Sequence, residues 1–343
     1  MKKRVIYFDL LNITASFAVV AMHCNGIVHS FSNTLSWKQS LIVEVAAYWA
    51  VPVFFMLSGA TLMEYRSKYT TKVFLKKRAE KTLIPFIVWS ILALIFKSLT
   101  GAIAIKSLSV RELLSMFINC KIENIYWFFI PLFAVYLCIP ILACLIRDSY
   151  RYVEYMISVG IATMSIAPFL CNVLEIPFNA FMSFPMTGGY VLYVLLGFWL
   201  SKTDLSKNKR MLIYLLGIVG VFARYCGTYF LSIRNGELNK LFWGYLNWPA
   251  LLLSMAVFVW FRYHNWNWLD NNSRLRVAVT EIAGGSFGVY LTHIFIINIV
   301  CSVCNVNVSG WKWRTLGVIL VYGVSLIIVK ILKRIPVIQR IVP

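Results

Sequence analysis

Charge is scarce in this sequence. Only 13% of the 343 residues are charged, against about 25% in a soluble domain. Acids are scarcer still, with 13 Asp and Glu against 33 Lys and Arg, a net charge of +20. This shortage excludes soluble dehydrogenases, secreted enzymes and DNA-binding proteins. The basic excess does not restore a nucleic-acid partner, because nucleic acid needs a solvated basic surface. Here the charges stand between long apolar runs. Linkers are missing too. There is no low-complexity stretch, nor a repeat of the roughly 20–50-residue period that marks arrays. The chain therefore reads as one domain over residues 1–343. Metal-ligand spacing is also absent. Eight Cys are scattered, and the lone CxxC at Cys301 and Cys304 has neither a second CxxC nor a nearby His. No metal is expected.

What is present is apolar: 60% of the residues are hydrophobic. A helical span takes about 20 such residues, and ten candidate runs follow one another. They are Val5–Val28, Ile42–Met63, Thr82–Ile105, Tyr126–Ile146, Val153–Leu170, Thr187–Ser201, Met211–Leu231, Leu246–Tyr263, Gly284–Val303 and Trp313–Leu332. The fold class is all-α, a polytopic integral membrane protein with about ten transmembrane helices. The sixth run is short and broken upstream by Pro177 and Pro185, which also fits a re-entrant segment. With the N-terminus inside, the inner segments hold 23 of the 33 basic residues. Lys and Arg are retained on the cytoplasmic side, so both termini are expected there. Lys2-Lys3-Arg4 mimics a signal peptide, but Asp9 and Asn12 interrupt the run and no cleavage pattern follows. It is read as a retained first span.

Polar groups inside a span are costly and point to function. The first run carries Asp9, Asn12, Ser16 and His23. At 100° per residue all four fall within about 60° of one helix face. The rise of 1.5 Å per residue sets His23 roughly 20 Å beyond Asp9. Helix–helix hydrogen bonding accounts for Ser16 alone; an intramembrane His in line with an Asp points to chemistry. His293 shares a face with Ser286 and Tyr290 in the ninth run, and fits either a cavity wall or a satisfied core histidine.

These residues stand inside a wider pattern. Tyr7-Phe8-Asp9-Leu10-Leu11, Val19-Val20 and His23 resemble the opening of the membrane acyltransferase-3 family, bacterial O-acyltransferases acting on surface polysaccharides. Val53-Phe54-Phe55-Met56-Leu57-Ser58-Gly59 is similar to the family's second-span motif. Phe74-Leu75-Lys76-Lys77-Arg78, Pro85-Phe86 and Trp89-Ser90 are similar to its basic loop and third-span start. Tyr126-Trp127-Phe128-Phe129, Tyr136-Leu137 and Pro140-Ile141-Leu142 resemble its fourth span. Ser286-Phe287-Gly288-Val289-Tyr290-Leu291-Thr292-His293 resembles a late motif. Each match is weak alone; five in order across nearly the whole chain are specific. One position departs: where the family has an Arg eleven residues before the first-span His, this chain has Asn12, which cannot supply a fixed charge.

The resemblance implies a cytoplasmic acyl-CoA donor, acetyl-CoA above all, and a hydroxyl acceptor on an extracytoplasmic glycan or lipid-linked saccharide. It implies a multi-pass protein of the bacterial cytoplasmic membrane whose partners are acyl-CoA, the saccharide and membrane lipids, and not nucleic acid. Arg78 and Lys81 are then candidates for the CoA phosphates, and Ser58 and Gly59 for close approach of the pantetheine arm. Close helix packing is an equal reading of Gly59. His23 is the natural general base, with Asp9 and Asn12 on its face. Its partner is expected from another span, at Tyr290 or His293. Direct attack and an acyl-histidine intermediate both fit. Trp127, Tyr290, His293 and Ser286 are candidates for contact with substrate, whereas Tyr126 is read as part of an interfacial aromatic belt. A transporter or flippase for a glycan precursor also fits the polar stripe, as does a non-catalytic membrane subunit, given Asn12.

Overall fold

The computed structural model describes residues 5–148 and 150–343. The expected basic start Lys2-Lys3-Arg4 lies outside the described residues, as does the side chain of Arg147. Among the described residues there is no strand. Fifteen α-helices follow in order: α1 (Ile6–Cys24), α2 (Leu35–Ala47), α3 (Ala50–Leu62), α4 (Thr71–Arg78), α5 (Ile84–Leu99), α6 (Val110–Ile118), α7 (Phe129–Asp148), α8 (Tyr150–Ile161), α9 (Ala167–Val173), α10 (Val191–Lys202), α11 (Lys207–Asn235), α12 (Trp248–Tyr263), α13 (Asn267–Asp270), α14 (Ser273–Cys304) and α15 (Val318–Leu332).

Among the described residues, eight helical stretches are long and apolar enough to cross a membrane; α10 and α12 are shorter apolar helices. Together they fall where the ten apolar runs predict. The bounds differ for local reasons. The first helix ends at Cys24 and passes into a 3-10 turn over Gly26–His29. The second begins at Leu35, because the Thr34 hydroxyl accepts from Trp37 N at 3.3 Å and caps it. The outer faces are apolar: Leu212, Leu215, Ile218 and Phe222 of α11 are all exposed, as lipid contact requires and water would not allow.

α10 is short because it is the centre of the bundle. Nine of its twelve residues are buried, and two glycines seat it against α3. A Cβ on Gly59 would stand 1.9 Å from the Val194 carbonyl oxygen, and one on Gly197 would stand 2.0 Å from the Met56 carbonyl oxygen. Small residues let two backbones touch, which is how apolar helices gain packing energy in lipid. Gly59 is thus a packing residue. Gly197→Ala is expected to cost about 1–3 kcal/mol or more, read as a lower thermal midpoint of the purified protein in detergent.

Candidate active site

The polar stripe on α1 faces α14. The Asn12 side-chain amide donates to the Ala283 carbonyl at 3.0 Å, and the Ser16 hydroxyl donates to the Ser286 carbonyl at 3.3 Å. Further along, His23 Nδ1 lies 2.6 Å from His293 Nε2. Both sets of partners ascend together, so α1 and α14 run parallel, as expected for the first and ninth of ten alternating spans. Asn12 and Ser16 therefore spend hydrogen-bonding capacity on helix pairing. Asn12 does so where the family resemblance leads one to expect an Arg.

The two imidazoles form a directional pair. Their planes are 8° apart with centroids at 4.9 Å. Their 2.6 Å nitrogen contact is shorter than the ~3.5 Å that stacked faces keep, so these nearly parallel rings meet edge to edge. His293 Nδ1 lies 3.0 Å from the Val289 carbonyl, which can only accept, so that nitrogen carries a proton. With both rings neutral, His293 Nε2 then accepts from the His23 Nδ1–H. His23 Nε2 is left with a lone pair. His293 is fully buried and absent from the cavity wall, whereas His23 lines it. The structure thus places His293 behind His23, as its hydrogen-bond partner and off the cavity wall.

A cavity of about 370 Å³ runs along α1. One end is lined by Asp9, Asn12, Ser58, Arg78 and Thr82; the other by His23, Ile125, Trp127 and Tyr245. Between them stand apolar side chains including Leu57, Phe54, Leu132 and Phe287. Asp9 is buried at the Arg78 end, roughly 20 Å along the helix from His23, and cannot act on it directly.

Arg78 is the one cation among the described lining residues. It closes α4 and lies over the rings of Tyr136 at 5.6 Å and Phe74 at 5.8 Å. Its Nε is buried without a hydrogen-bond partner. Ser286 Oγ, also on the wall, is buried and equally unpartnered. These two orphaned groups mark where a polar ligand fits, since buried polar atoms are seldom left unpaired.

Several expected residues fall elsewhere. Lys81 is exposed and off the wall. A π-helical turn spans Ala79–Leu83; the wider circuit means three positions no longer bring Lys81 under Arg78. Lys81 instead faces Lys333, whose ammonium is held below the usual lysine range by burial first and by the Lys81 charge second. Gly59 packs on α10, as above, while Ser58 does reach the wall, its hydroxyl donating to the Phe54 carbonyl at 3.0 Å. Tyr290 lines the cavity, but its hydroxyl is taken by the Ile125 carbonyl. Tyr126 is not an interfacial aromatic: it is 1% exposed and donates to the Leu291 carbonyl at 2.9 Å. The two tyrosines lace the segment before α7 to α14, which holds Trp127 on the wall. Sequence reasoning missed Tyr245 and Thr82. Tyr245 sits in a loop without periodicity, whereas Thr82, four residues after Arg78, was within reach of helical spacing.

No curated protein and no solved structure matches the chain. The acyltransferase-3 family model, an acyltransferase domain, matches residues 5–330. The helical bundle, the histidine pair and the cavity lined by His23 and Arg78 all stand within that match, and the chain belongs to the acyltransferase-3 family of membrane acyltransferases.

Proposed function

We propose that this protein moves a short acyl group, acetyl above all, from acyl-CoA to a hydroxyl of a glycan or lipid-linked saccharide across the membrane. The observation that carries the proposal is the single cavity with Arg78 at one end and His23 at the other. The density of Lys and Arg around Arg78 assigns that end to the cytoplasm, where acyl-CoA is made. The membrane is then the bacterial cytoplasmic membrane, and the His23 end opens on its outer side.

In this reading Arg78 holds a CoA phosphate by charge-assisted hydrogen bonds. The pantetheine arm lies along the apolar middle, its amides within reach of Ser286 and Ser58. The thioester arrives beside His23. His23 Nε2 takes the proton of the acceptor hydroxyl, the oxygen attacks the thioester carbonyl, and the C–S bond breaks. The departing thiolate recovers the proton from His23, so CoA leaves as the thiol. His293 fixes the tautomer that makes Nε2 the base. Lys81, exposed and off the wall, adds only long-range attraction for the phosphates.

Surface glycans from cells with and without this protein test the reading. The expected result is a mass difference of one acyl group, lost again in cells carrying His23→Ala at equal expression. Identical glycans would overturn it. His293→Ala is expected to lower turnover about 10- to 100-fold, the scale of an orienting partner to a histidine, with the donor KM unchanged. Steady-state kinetics of CoA release check this, and His293→Gln, which can still accept from His23, is expected to recover part of the rate.

A further inference from the structure

We propose that Trp127 and Tyr245 form the acceptor subsite of the transferase proposed above, that it takes an uncharged sugar ring and rejects an acidic one, and that Arg224 is its positioning residue. The proposal rests on the acyl-transfer reading for the identity of the site, but its own evidence is the loop over residues 236–247 and the ring stack beneath it.

That loop is tied down along its length. Asn239 N donates to the Ser232 hydroxyl at 2.9 Å, and Arg224 Nη1 donates to the Phe242 carbonyl at 3.2 Å. Gly244 N donates to the Tyr48 hydroxyl at 3.2 Å, at a φ of +102° that suits glycine. The Tyr193 hydroxyl donates to the Tyr245 carbonyl. Tyr245 is therefore delivered to the cavity on a fixed support rather than on a mobile lid.

The rings continue the support. Arg224 lies over the face of Tyr48 at 3.4 Å and beside Trp243 at 4.9 Å. Tyr48 stacks on Tyr245 at 4.2 Å and 13°, and Tyr245 stacks on Trp127 at 5.6 Å and 18°. The last pair is offset enough that both rings also line the cavity. A cation inside an apolar helix is expensive. Arg224 is 1% exposed and does not line the cavity. What it does instead is clamp the stack: a cation–π contact to Tyr48 on one side and a backbone bond to the loop on the other.

The chemistry of this end selects its ligand. Among the described residues that line it, beside His23, none carries a fixed charge. Aromatic faces are electron-rich. They suit the C–H face of a neutral sugar, and they offer an acceptor carboxylate no cation to replace its hydration. An acidic ring would give up solvation for nothing, so the unit that meets His23 is a neutral one.

The test uses the full-length protein purified in detergent, with sugar binding read by calorimetry and no donor present. The probes are a neutral hexose oligosaccharide and a hexuronic acid oligosaccharide of the same length. The neutral probe is expected to bind at least tenfold more tightly. Tyr245→Leu is expected to weaken it about tenfold, the scale of one lost aromatic contact, and Tyr245→Phe to bind like the wild type. Glu44 is buried close to Arg224, so Arg224→Leu is combined with Glu44→Gln, which leaves no lone buried carboxylate; the double variant is expected to weaken sugar binding to a similar degree with acetyl-CoA affinity unchanged. Equal or tighter binding of the acidic probe, or unaltered sugar binding in the Leu variants, would overturn the proposal. A wild type that binds the neutral sugar yet releases no CoA from acetyl-CoA would overturn the donor reading alone.

Discussion

His23→Ala is expected to lower turnover by about 10²–10⁴-fold, the usual contribution of a positioned general base, and to leave the donor KM unchanged. The asymmetry follows from distance. Arg78 lines the opposite end of the cavity, so removing the imidazole does not reach the groups proposed to hold CoA. The variant loses the 2.6 Å contact to His293, which leaves the buried His293 Nε2 without its donor and costs about 1–3 kcal/mol of stability. Activity must therefore be compared at matched amounts of folded protein. Added imidazole is expected to restore part of the rate, because the space left has the shape of the lost ring and keeps the His293 acceptor on its wall. Full activity in His23→Ala would remove His23 from the chemistry.

Arg78→Leu is expected to raise the donor KM about 10- to 100-fold, with a smaller change in turnover. A charge-assisted hydrogen bond is worth about 1.5–3 kcal/mol, and each 1.4 kcal/mol is tenfold in affinity. Arg78 is the one cation on the described wall, so no neighbour replaces it. Arg78→Lys keeps the charge without the planar fork and is expected to fall between the two. A second measurement separates binding from folding. Arg78 is half-buried, with its Nε buried and unpartnered, and a partly desolvated cation that lacks a bond is a modest burden on the empty protein. The Leu variant is therefore expected to be at least as heat-stable as the wild type when no donor is present, and to gain less stability on adding acetyl-CoA. An unchanged donor KM would contradict the assignment of Arg78.

Much of this was legible in the sequence, for identifiable reasons. The 100° spacing of Asp9, Asn12, Ser16 and His23 places them on one face, and that face does meet the α14 face that carries Ser286 and His293. Helical periodicity is local, so it survives without tertiary knowledge. What it cannot supply is the partner. Gly59 reads equally as a ligand contact or a packing point until α10 is seen against it. Lys81 was lost to a π-helical turn that no spacing rule anticipates. Tyr245 sits in a loop, where position depends on distant hydrogen bonds. Arg224 is different: a charge inside an apolar run is itself a signal, but in the reading of topology it passes as one more basic residue near a span end.

In the proposed reaction, donor and acceptor enter one cavity from opposite sides of the membrane. Sealed proteoliposomes with a neutral oligosaccharide trapped inside and acetyl-CoA outside test it. Acylated oligosaccharide is expected inside and free CoA outside, with the vesicles intact. Product that forms only after the vesicles are opened, so that both substrates reach the same face, would contradict it.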